Sequence, residues 1–538
     1  MRRQQVSRPT GSTTPQPIAL IVVLLLLTPV YATTIVVDET TCTLVDAITA
    51  ANTDTDTGGC PAGFDADTIR LTADVTLTTV DNSQEGDDIG LPVIASAITV
   101  VGSDFTIERD ASAPPFILFW VASDGRLSLN DVTLRNGARA ITNLGILDMV
   151  RVNVSANLGH GIFVLPGGTA HLIDCIVSDN LLDGIIFNSA TVYVTESTVT
   201  GNGFFGILGV YGAVNVTRSN ISHNSFTGLR LDYSEGLLTN STVSGNLGFG
   251  VNIYLSSVDI LHSTLSGNER GIYASLDPSV SVRLSNSIIA NNEPGYNCST
   301  FPGLALTDLG SNFADDHTCG TGFTNIIPGV DYDVVLADNG GPTQTHALLP
   351  GSVAIDAGSD ECPPTDQRGV DRPLDGDGDG ISRCDAGPFE YEIPLITVSI
   401  DIKPDSYPNS INPYSRGVIP VAILGGEDLD MADIDETTLS LGPGGARLAH
   451  RHAHFGDVNL DGIMDLMLHF RTQDTGIACG DESATLTGET VDGQPFEGTD
   501  SIQTVGCRVT RRPAIWMKDQ DEPDSDRRDG PVDLQRKW

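Results

Sequence analysis

An internal repeat of 22 residues constrains the fold of this chain more than any other feature. Five eight-residue segments align without gaps and end at Asn180, Asn202, Asn224, Asn246 and Asn268. Weaker copies end at Asn136, Asn157 and Asn291. About 22 residues hold three short strands and three turns, whereas helical repeats need about 33 or more. Because the repeat is also rich in β-branched residues, it predicts one coil of a parallel β-helix.

The columns of the repeat predict which side chains face the core. Two apolar columns predict inward ladders: Val177, Val199, Ile221, Val243 and Leu265, and Leu172, Val194, Val216, Leu238 and Ile260. A third column reads Cys175, Ser197, Ser219, Ser241 and Ser263, so Cys175 is expected to be a buried, unreactive thiol. The asparagines are expected to form an amide ladder at one corner. A glycine that recurs from Gly184 to Gly250 predicts a second corner, where a β-carbon would hinder the turn.

The composition excludes some classes of function. Asp and Glu number 70 against 29 Lys and Arg, and the formal charge of -41 repels phosphate backbones and anionic bilayers. We therefore expect no nucleic-acid partner. Only 18% of the residues are charged, which is fewer than a disordered acidic chain would have.

The N-terminus predicts export. Arg2, Arg3 and Arg8 precede an apolar run over residues 18–27 and the small residue Ala32, as in a secretory signal peptide of residues 1–32. An uncleaved membrane anchor is the alternative, although the run is short for a hydrocarbon core of about 30 Å. We expect a secreted or cell-surface mature chain that is monomeric and has no membrane span.

Cysteine usage fits an exported protein, because eight of the nine cysteines form close pairs in the sequence. Local pairing predicts the disulfides Cys42–Cys60, Cys298–Cys319, Cys362–Cys384 and Cys479–Cys507. Each would close a loop of about twenty to thirty residues, and on the chain-entropy model this stabilises by roughly 3 kcal/mol.

The segment before the repeat resembles a known module. Residues 42–63 read CTLVDAITAANTDTDTGGCPAG. This is similar to the module named for the string Cys-Ser-Leu-Arg-Glu-Ala, which heads many secreted bacterial β-helix proteins, although Thr43, Val45 and Asp46 depart from that string. The resemblance implies a helix-and-loop cap over residues 33–80, clipped by the Cys42–Cys60 disulfide.

The segment after the repeat resembles a second module. Residues 338–359 read DNGGPTQTHALLPGSVAIDAGS, and residues 384–391 read CDAGPFEY. Together with NSIIANN over residues 286–292, these words resemble the choice-of-anchor Q module of bacterial surface proteins. The resemblance implies that residues 301–392 cap the β-helix of residues 81–300, and that the protein is secreted or displayed on a surface.

The sequence changes character after Glu392. Apolar and polar residues alternate between Pro, Gly and Asn turns, which predicts a small antiparallel β domain over residues 393–507. Residues 508–538 lack periodicity and are expected to be a disordered tail.

Two acidic loops predict calcium as a cofactor. The first offers, in calcium-loop order, Asp457, Asn459, Asp461, the carbonyl of Ile463, and Asp465. Such closely spaced carboxylates repel each other unless a hard cation neutralises them, and Gly462 permits the sharp turn. Leu468 stands where an EF-hand has glutamate, so the loop is partial and a plain acidic turn is the alternative.

The second loop offers Asp375, Asp377, Asp379 and the carbonyl of Ile381. Arg383 follows at the ninth position, and a flexible acidic loop held by Cys362–Cys384 is the alternative. Either calcium site is expected to be structural. A third metal candidate is the alternating set His450, His452 and His454, which on one strand face could hold zinc or copper; solvent-facing residues are its alternative.

Candidates for catalysis are few. The word Gly159-His160-Gly161 is similar to one in polygalacturonase-type hydrolases, but the words that accompany it in that family are absent. A lyase would need carboxylates that hold calcium and an Arg or Lys base outside the coils. The residues Arg218, Arg230, Asp232 and Glu235 are close in sequence, yet no neighbouring coil repeats them.

We therefore expect an all-β protein: a right-handed parallel β-helix of the pectin-lyase-like kind, capped at both ends and followed by a small antiparallel β domain. The expected function is structural, adhesive or glycan-binding, without catalysis, with a polysaccharide or cell-surface ligand and with calcium as stabiliser. The alternative is an extracellular polysaccharide lyase or glycoside hydrolase that acts on the outer face of the coils.

Overall fold

The computed structural model describes residues 33–507 apart from residues 276, 278–279, 301–305, 360, 427–428 and 451–452. The predicted signal peptide, the predicted tail and His452 therefore lie outside the described residues. The chain forms two compact units that divide between Glu392 and Ile393.

The first unit is a parallel β-helix with three faces. Each coil runs through a strand on face A, bends into a strand on face B, and turns into a strand on face C before the next coil begins. Two long strands, Arg126–Arg135 and Ile146–Ser155, cross from face A to face B. The other face A strands are Thr34–Val37, Asp67–Leu71, Ala97–Val101, Thr169–Ile173, Thr191–Thr195, Ala213–Thr217, Glu235–Thr239, Ser257–Leu261, Ser281–Ser285 and Thr307–Asp308.

Faces B and C complete the coils. Face B holds Val75–Leu77, Thr106–Arg109, Ile176–Ser178, Thr198–Thr200, Asn220–Ser222, Thr242–Ser244, Thr264–Ser266, Ile288–Ala290, Phe313–Ala314 and Thr324–Asn325. Face C holds Phe119–Val121, Ile141–Asn143, Ile162–Val164, Ile185–Asn188, Ile207–Val210, Leu229–Asp232, Phe249–Tyr254, Arg270–Ala274 and Cys298–Thr300. A hairpin of Asn82–Gln84 and Asp87–Ile89 projects from an early coil.

The predicted inward ladders are confirmed. Strands pair with a register of one repeat, so that Val194 lies beside Val216 and Val199 beside Ile221. Every member of the two apolar ladders is fully buried, and the column that starts at Cys175 also faces inward. Apolar burial along the whole rod is therefore the main source of stability of this unit.

The predicted asparagine ladder is confirmed from Asn157 to Asn268, and Asn292 continues it in place of the predicted Asn291, whereas the Asn136 side chain binds Glu108 instead. From Asn157 to Asn292, the side-chain amide of each asparagine donates to the side-chain oxygen of the next at 2.8 to 3.1 Å. The corner glycines serve this ladder in a way that differs from the expectation. The φ of Gly206 is not left-handed, but a β-carbon there would lie 2.7 Å from Asn224 Nδ2 and 2.7 Å from the Gly228 oxygen. Close approach of the backbone to the ladder therefore requires glycine.

The N-terminal cap contains the single α-helix of the described residues, Leu44–Thr53. The Thr43 side chain accepts a hydrogen bond from the Asp46 amide and so caps the helix N-terminus. Its buried face, with Ala47 and Ile48, packs into the core of the β-helix. The coils themselves extend from residue 34 to residue 325, beyond the predicted 81–300, because the outer coils keep the strand pairing without the repeat words.

Residues 326–391 lie along face B, which differs from the expected cap at the end of the rod. Four face B strands are completely buried beneath them: Asn220–Ser222, Thr242–Ser244, Thr264–Ser266 and Ile288–Ala290. The Tyr332 hydroxyl lies 3.1 Å from that of Ser266, and His346 Nε2 lies 2.9 Å from the Ser244 hydroxyl. Outward hydroxyls of face B, those of Ser244 and Ser266, thus find partners in this segment, which we call the side cover.

The second unit consists mainly of two four-stranded sheets. One holds Ile396–Thr397, Pro495–Ser501, Ser483–Thr490 and Ile434–Leu441, and the other holds Ile400–Ile402, Val418–Ile423, Asp465–Arg471 and His454–Gly456. Strands Ser410–Ile411 and Gln503–Thr504 form a small parallel pair, and Met431–Asp433 and Thr472–Asp474 are short 3-10 helices. Seven of the eight strands in the larger sheets pair antiparallel, as predicted; Ile396–Thr397 pairs parallel.

All four predicted disulfides are present, and Cys175 is a free, buried cysteine. Burial raises the pKa of its thiol to about 11. Among the described residues, no helix is both long and apolar enough to cross a membrane.

Candidate functional site

The outer surface of face A carries a shallow groove of about 620 Å³. It crosses five coils, and we call it the face A groove. Its lining consists of Thr191, Tyr193, Ala213, Val214, Asn215, Glu235, Gly236, Leu237, Ser257, Asp259, Ser281 and Arg283. A groove of this length suits an extended ligand rather than a compact one.

One outward column forms the floor of the groove and continues beyond it. Parallel pairing places its members side by side on successive coils: Asp148, His171, Tyr193, Asn215, Leu237, Asp259 and Arg283. Each member of the column directly precedes a buried residue on the same strand. Because successive side chains on a strand point to opposite faces, the column points outward and the buried residues point inward. The groove therefore offers one different side chain on every coil.

Aromatic and charged groups are ordered at one end of this column. The His171 and Tyr193 rings stack, with centroids 4.9 Å apart and planes 17° apart. His171 Nδ1 lies 2.9 Å from Asp148, whose other oxygen pairs with Arg126 at 2.7 Å. The Asp148 carboxylate is thus engaged from both sides and fixes the imidazole beneath the tyrosine.

The other end of the groove holds an ion pair and an open carboxylate. Both guanidinium arms of Arg283 bind the two oxygens of Asp259, and this hydrogen bonding raises the pKa of Arg283 further. Glu235 lies on the neighbouring strand, two register positions away from Leu237, which pairs with Asp259. Among the described lining residues, Glu235 is the one carboxylate without an ion pair.

His160 lies away from this groove, at the corner between faces B and C. Its Nδ1 lies 3.0 Å from the buried carboxylate of Asp183, which orients the ring. His160 borders a smaller cavity of about 250 Å³ together with Arg139 and Asp87, which pair with each other at 3.0 Å. The structure thus gives His160 an orienting carboxylate that the sequence did not reveal.

The other catalytic candidates are not brought together. Arg218 lies at the bend between faces A and B, where it binds Glu196 and reaches Thr365 of the side cover. Arg230 and Asp232 point outward from face C and pair with each other at 3.0 Å. Arg218 is close to Arg230 and Asp232 in sequence but lies on a different part of the coil, because one coil turns the chain through all three faces.

A carboxylate cluster lies at the second predicted calcium loop, in the side cover. Asp356, Asp375 and Asp377 place ligand oxygens within 4.8 Å of one another, and it is the one such acidic or histidine group among the described residues. Burial raises the pKa of Asp356, and the charge of Asp377 adds to this rise. Asp375 Oδ1 is buried without a hydrogen-bond partner. Asp379 instead pairs with Arg383 at 3.3 Å, and Ile381 is exposed.

In the first predicted calcium loop, which lies in the second unit, the carboxylates already accept hydrogen bonds from backbone amides. The two oxygens of Asp465 accept backbone amides of Gly425 and Val458 at 2.8 and 2.7 Å. Asp457 accepts the amides of Asp461 and Gly462, both at 3.1 Å. The remaining candidate calcium ligands include the side chain of Asn459, whose amide donates a hydrogen bond to Asp461, and the carbonyl oxygen of Ile463, which is an exposed residue.

The histidine candidates acquire a member that the sequence analysis missed. His469 on strand Asp465–Arg471 has its ring centroid 5.9 Å from that of His450. Burial lowers the pKa of His469, and the charges of His450 and His454 lower it further. An isolated bridge between Leu448 and Phe470, rather than sequence spacing, supplies this neighbour.

The floor of the groove was missed for a physical reason. Columns that face the core repeat their chemistry, whereas the outward column reads His171, Tyr193, Asn215, Leu237 and Asp259 and so does not look like a repeat. Its signal was available, since each of these residues precedes a ladder residue by one position. Asp356 was missed because 19 residues separate it from Asp375 in the sequence.

Comparison with known proteins supports the fold. The family described as "Right handed beta helix region" matches residues 136–293. No curated protein matches the chain. Among solved structures, pectate lyase Pel9A is similar at 14% identity over 62% of this chain and 92% of that one, with a TM-score of 0.40.

Two epimerases are similar at the same level. The A-module of the Azotobacter vinelandii mannuronan C-5 epimerase AlgE4 has 16% identity over 51% of this chain and 87% of its own, with a TM-score of 0.32. The periplasmic alginate epimerase AlgG has 13% identity over 46% and 69%, with a TM-score of 0.32. These likenesses carry no conclusion about activity. The family match over residues 136–293 and the coil topology show that the first unit is a right-handed parallel β-helix built from repeats.

Proposed function

We propose that this protein is a secreted or cell-surface glycan-binding protein that holds a linear polysaccharide along the face A groove without cleaving it. The observation that carries the proposal is the ordered outward column, with a polar or aromatic side chain on every coil except the one that carries Leu237. Parallel strands lie about 4.8 Å apart, so the five coils of the groove present contacts over about 20 Å. A polymer that runs parallel to the rod meets a new contact with every coil.

The state of the charged groups supports binding rather than cleavage. Polysaccharide hydrolysis usually requires one carboxyl group that is protonated and a second that is ionised. Asp259 is held by both arms of Arg283, and Asp148 is held by Arg126 and His171. These pairs leave neither a free arginine base nor a cluster of open carboxylates in the described groove.

A glycoside hydrolase is the second candidate, and one observation favours it. Glu235 and Asp259 lie on neighbouring strands of the groove, with Glu235 open and Asp259 fixed by Arg283. Two carboxylates of such different environments could act as acid and base. The experiment below includes this outcome.

Export and calcium complete the proposal. Four disulfides suit an oxidising compartment outside the cytosol. Calcium is proposed as a structural ion, held first of all by Asp356, Asp375 and Asp377, because the orphaned oxygen of Asp375 lacks a partner that a hard cation would supply. The loop with Asp457, Asn459, Asp461, Ile463 and Asp465 is the second proposed site.

The test measures binding and cleavage together. The full chain is assayed for retention on a panel of immobilised polysaccharides and for release of reducing ends or unsaturated products. Tyr193→Ala and Glu235→Gln are compared with Tyr296→Ala and Glu269→Gln, which change exposed residues outside the groove. Retention that only the groove variants lose, without products, supports the proposal. Products that vanish in Glu235→Gln would replace it with the hydrolase.

A further inference from the structure

Exposed tyrosines lie at or beside the turn between faces C and A: Tyr211 and Tyr233 are in the turn, and Tyr254 ends the face C strand of the next coil, in register with Asp232. Tyr211, Tyr233 and Tyr254 occupy successive coils and are 56%, 44% and 42% exposed. The rings of Tyr211 and Tyr233 stack, with centroids 4.8 Å apart and planes 17° apart, and Tyr254 meets Tyr233 edge-on at 5.6 Å. We call these three residues the tyrosine ridge.

Two residues of the ridge adopt a backbone conformation that side chains rarely take. Tyr211 and Tyr233 have φ values of 51° and 53°, in the left-handed region. Backbone hydrogen bonds between coils hold them there, from Tyr211 N to Asp232 O and from Tyr233 N to Tyr254 O, both at 3.0 Å. The fold does not need tyrosine at this position, because the preceding coil has Ser189 there at φ 51°. The following coil likewise has Leu255 there at φ 50°, so the left-handed conformation belongs to the turn, and tyrosine at this position places a large ring in solvent.

The ridge runs along one side of the face A groove. Tyr211 and Tyr233 each stand two residues before a groove residue, Ala213 and Glu235 respectively. The stacked pair of His171 and Tyr193 lies at one end of the groove floor. A ligand in the groove would therefore meet aromatic faces both on its floor and along its side.

The charges around the groove select against an anionic polymer. The nearby arginines are neutralised: Arg283 by Asp259, Arg126 by Asp148, and Arg230 by Asp232. Glu235 remains open, and the whole chain carries a formal charge of -41. A polyanion would approach this surface against repulsion and find no free cation among the described groups named here.

Aromatic faces suit the opposite kind of ligand. The electron-rich face of a tyrosine ring attracts the weakly positive C–H groups on the face of a sugar ring, and it requires no charge on the ligand. Tyr211 and Tyr233 cover one face of each other, so a polymer along the coils meets their outer edges and the open face of Tyr211. A hydrogen bond with Tyr254 raises the pKa of Tyr233, so this ring carries no charge.

We infer that the ligand of the face A groove is a neutral polysaccharide whose sugar rings pack against Tyr211 and Tyr233. This inference rests on the proposed function and narrows it to one chemical class. A binding site for uronate polymers would differ from this groove, because free arginines or bound cations would have to neutralise the carboxylates of the ligand.

The experiment compares matched neutral and anionic polymers. The full chain is tested for binding to polygalacturonate and to the same polymer after reduction of its carboxyl groups, and to immobilised β-1,4-glucan, xylan, mannan and alginate. Binding is measured at low and at high salt, because electrostatic binding weakens with salt whereas stacking does not. We expect binding to at least one neutral polymer, unchanged by salt, and weaker or no binding to the anionic ones.

Variants assign the binding to the ridge. Tyr233→Ala and Tyr211→Ala should each weaken binding of the neutral polymer about tenfold, whereas Tyr233→Phe should retain it because the ring remains. Tyr296→Ala, another exposed tyrosine, serves as the control, and thermal melts confirm that each variant is folded. Binding only to anionic polymers would overturn the inference and leave the proposed function standing. Neutral binding that the alanine variants do not weaken would also overturn it, and the absence of binding to any polymer would overturn the proposed function itself.

Discussion

Asn202 donates two hydrogen bonds to one acceptor, the side-chain oxygen of Asn224. Asn224 Oδ1 accepts the Asn202 side-chain amide at 2.9 Å and the Asn202 backbone amide at 3.1 Å. The Asn224 amide in turn donates to Val199 O and to Asn246 Oδ1. Each asparagine of the ladder thus links three coils in a region that water does not reach.

Replacing Asn224 should therefore be costly. In Asn224→Ala the buried backbone amide of Asn202 loses its acceptor, and an unsatisfied buried group costs about 1–3 kcal/mol in addition to the lost bonds. We expect a loss of roughly 3 kcal/mol in the free energy of unfolding of the first unit, measured by denaturant titration. Asn188→Ala, at a partly exposed asparagine, is the matched control and should change it by less than about 1 kcal/mol. Equal effects of the two variants would contradict the importance of the ladder.

Repetition explains how far the sequence predicted the fold. Val177 and Leu172 recur as apolar residues in every coil, because neighbouring coils bury the same position, and so periodicity alone located the core. The side cover carries no such signal: the contact between His346 and Ser244 joins residues 102 positions apart. Nothing in local spacing indicates that the segment lies on face B rather than over the end of the rod.

Cys175 offers a test of the serine column. Its backbone amide donates to the Ser197 hydroxyl at 2.9 Å, and the same link joins Ser197 to Ser219 and Ser219 to Ser241. Serine therefore fits the position, and Cys175→Ser should keep the free energy of unfolding within about 1 kcal/mol of the wild type.

The control for this prediction removes a hydroxyl instead of supplying one. Ser219→Ala leaves the Ser197 amide without its acceptor and should destabilise the first unit by about 1–3 kcal/mol. In the folded protein, Cys175 should also resist alkylation at pH 8, since burial raises the pKa of its thiol to about 11. Rapid labelling of the native chain would show that the coil opens at this column.

Calcium removal should act first on the side cover. If a cation binds Asp356, Asp375 and Asp377, added calcium should raise the melting temperature of the first unit, and a chelator should lower it. Asp375→Asn removes the carboxylate with the orphaned oxygen and should abolish this response. Asp457→Asn, in the other loop, should leave the response of the first unit intact. A melting temperature of the wild-type first unit that ignores both calcium and chelator would exclude this site.

The candidate site shows where sequence reasoning stops. Calcium-loop spacing pointed to Asp375 and Asp377, because these donors are adjacent in the chain, but Asp356 joins them only through the fold. In the same way, Tyr193 and Asp259 have no meaning as a pair until strand pairing places them on one surface, three coils apart with Asn215 and Leu237 between them. Residues that act across coils become visible only when the register is known.

The bend at His262 predicts a pH dependence of the first unit. His262 is 5% exposed, and its ring lies 3.3 Å from the Glu361 carbonyl and 3.3 Å from the Arg372 guanidinium. Burial lowers the pKa of His262 from 6.5 to about 4, and the charge of Arg372 lowers it further. The folded state therefore resists a proton that the unfolded chain accepts.

The sign follows from this difference. The stability that neutral His262 contributes is fully present above pH 6.5 and is lost as the pH falls towards 4, by up to about 3 kcal/mol. His262→Gln cannot take up the proton, so its free energy of unfolding should fall less than that of the wild type over this window. The measurement is the difference between the two proteins in denaturant titrations at pH 7, 5.5 and 4. A constant difference at all three pH values would show that the pKa of His262 is the same in the folded and unfolded states. The side cover would then not exclude the proton from the bend.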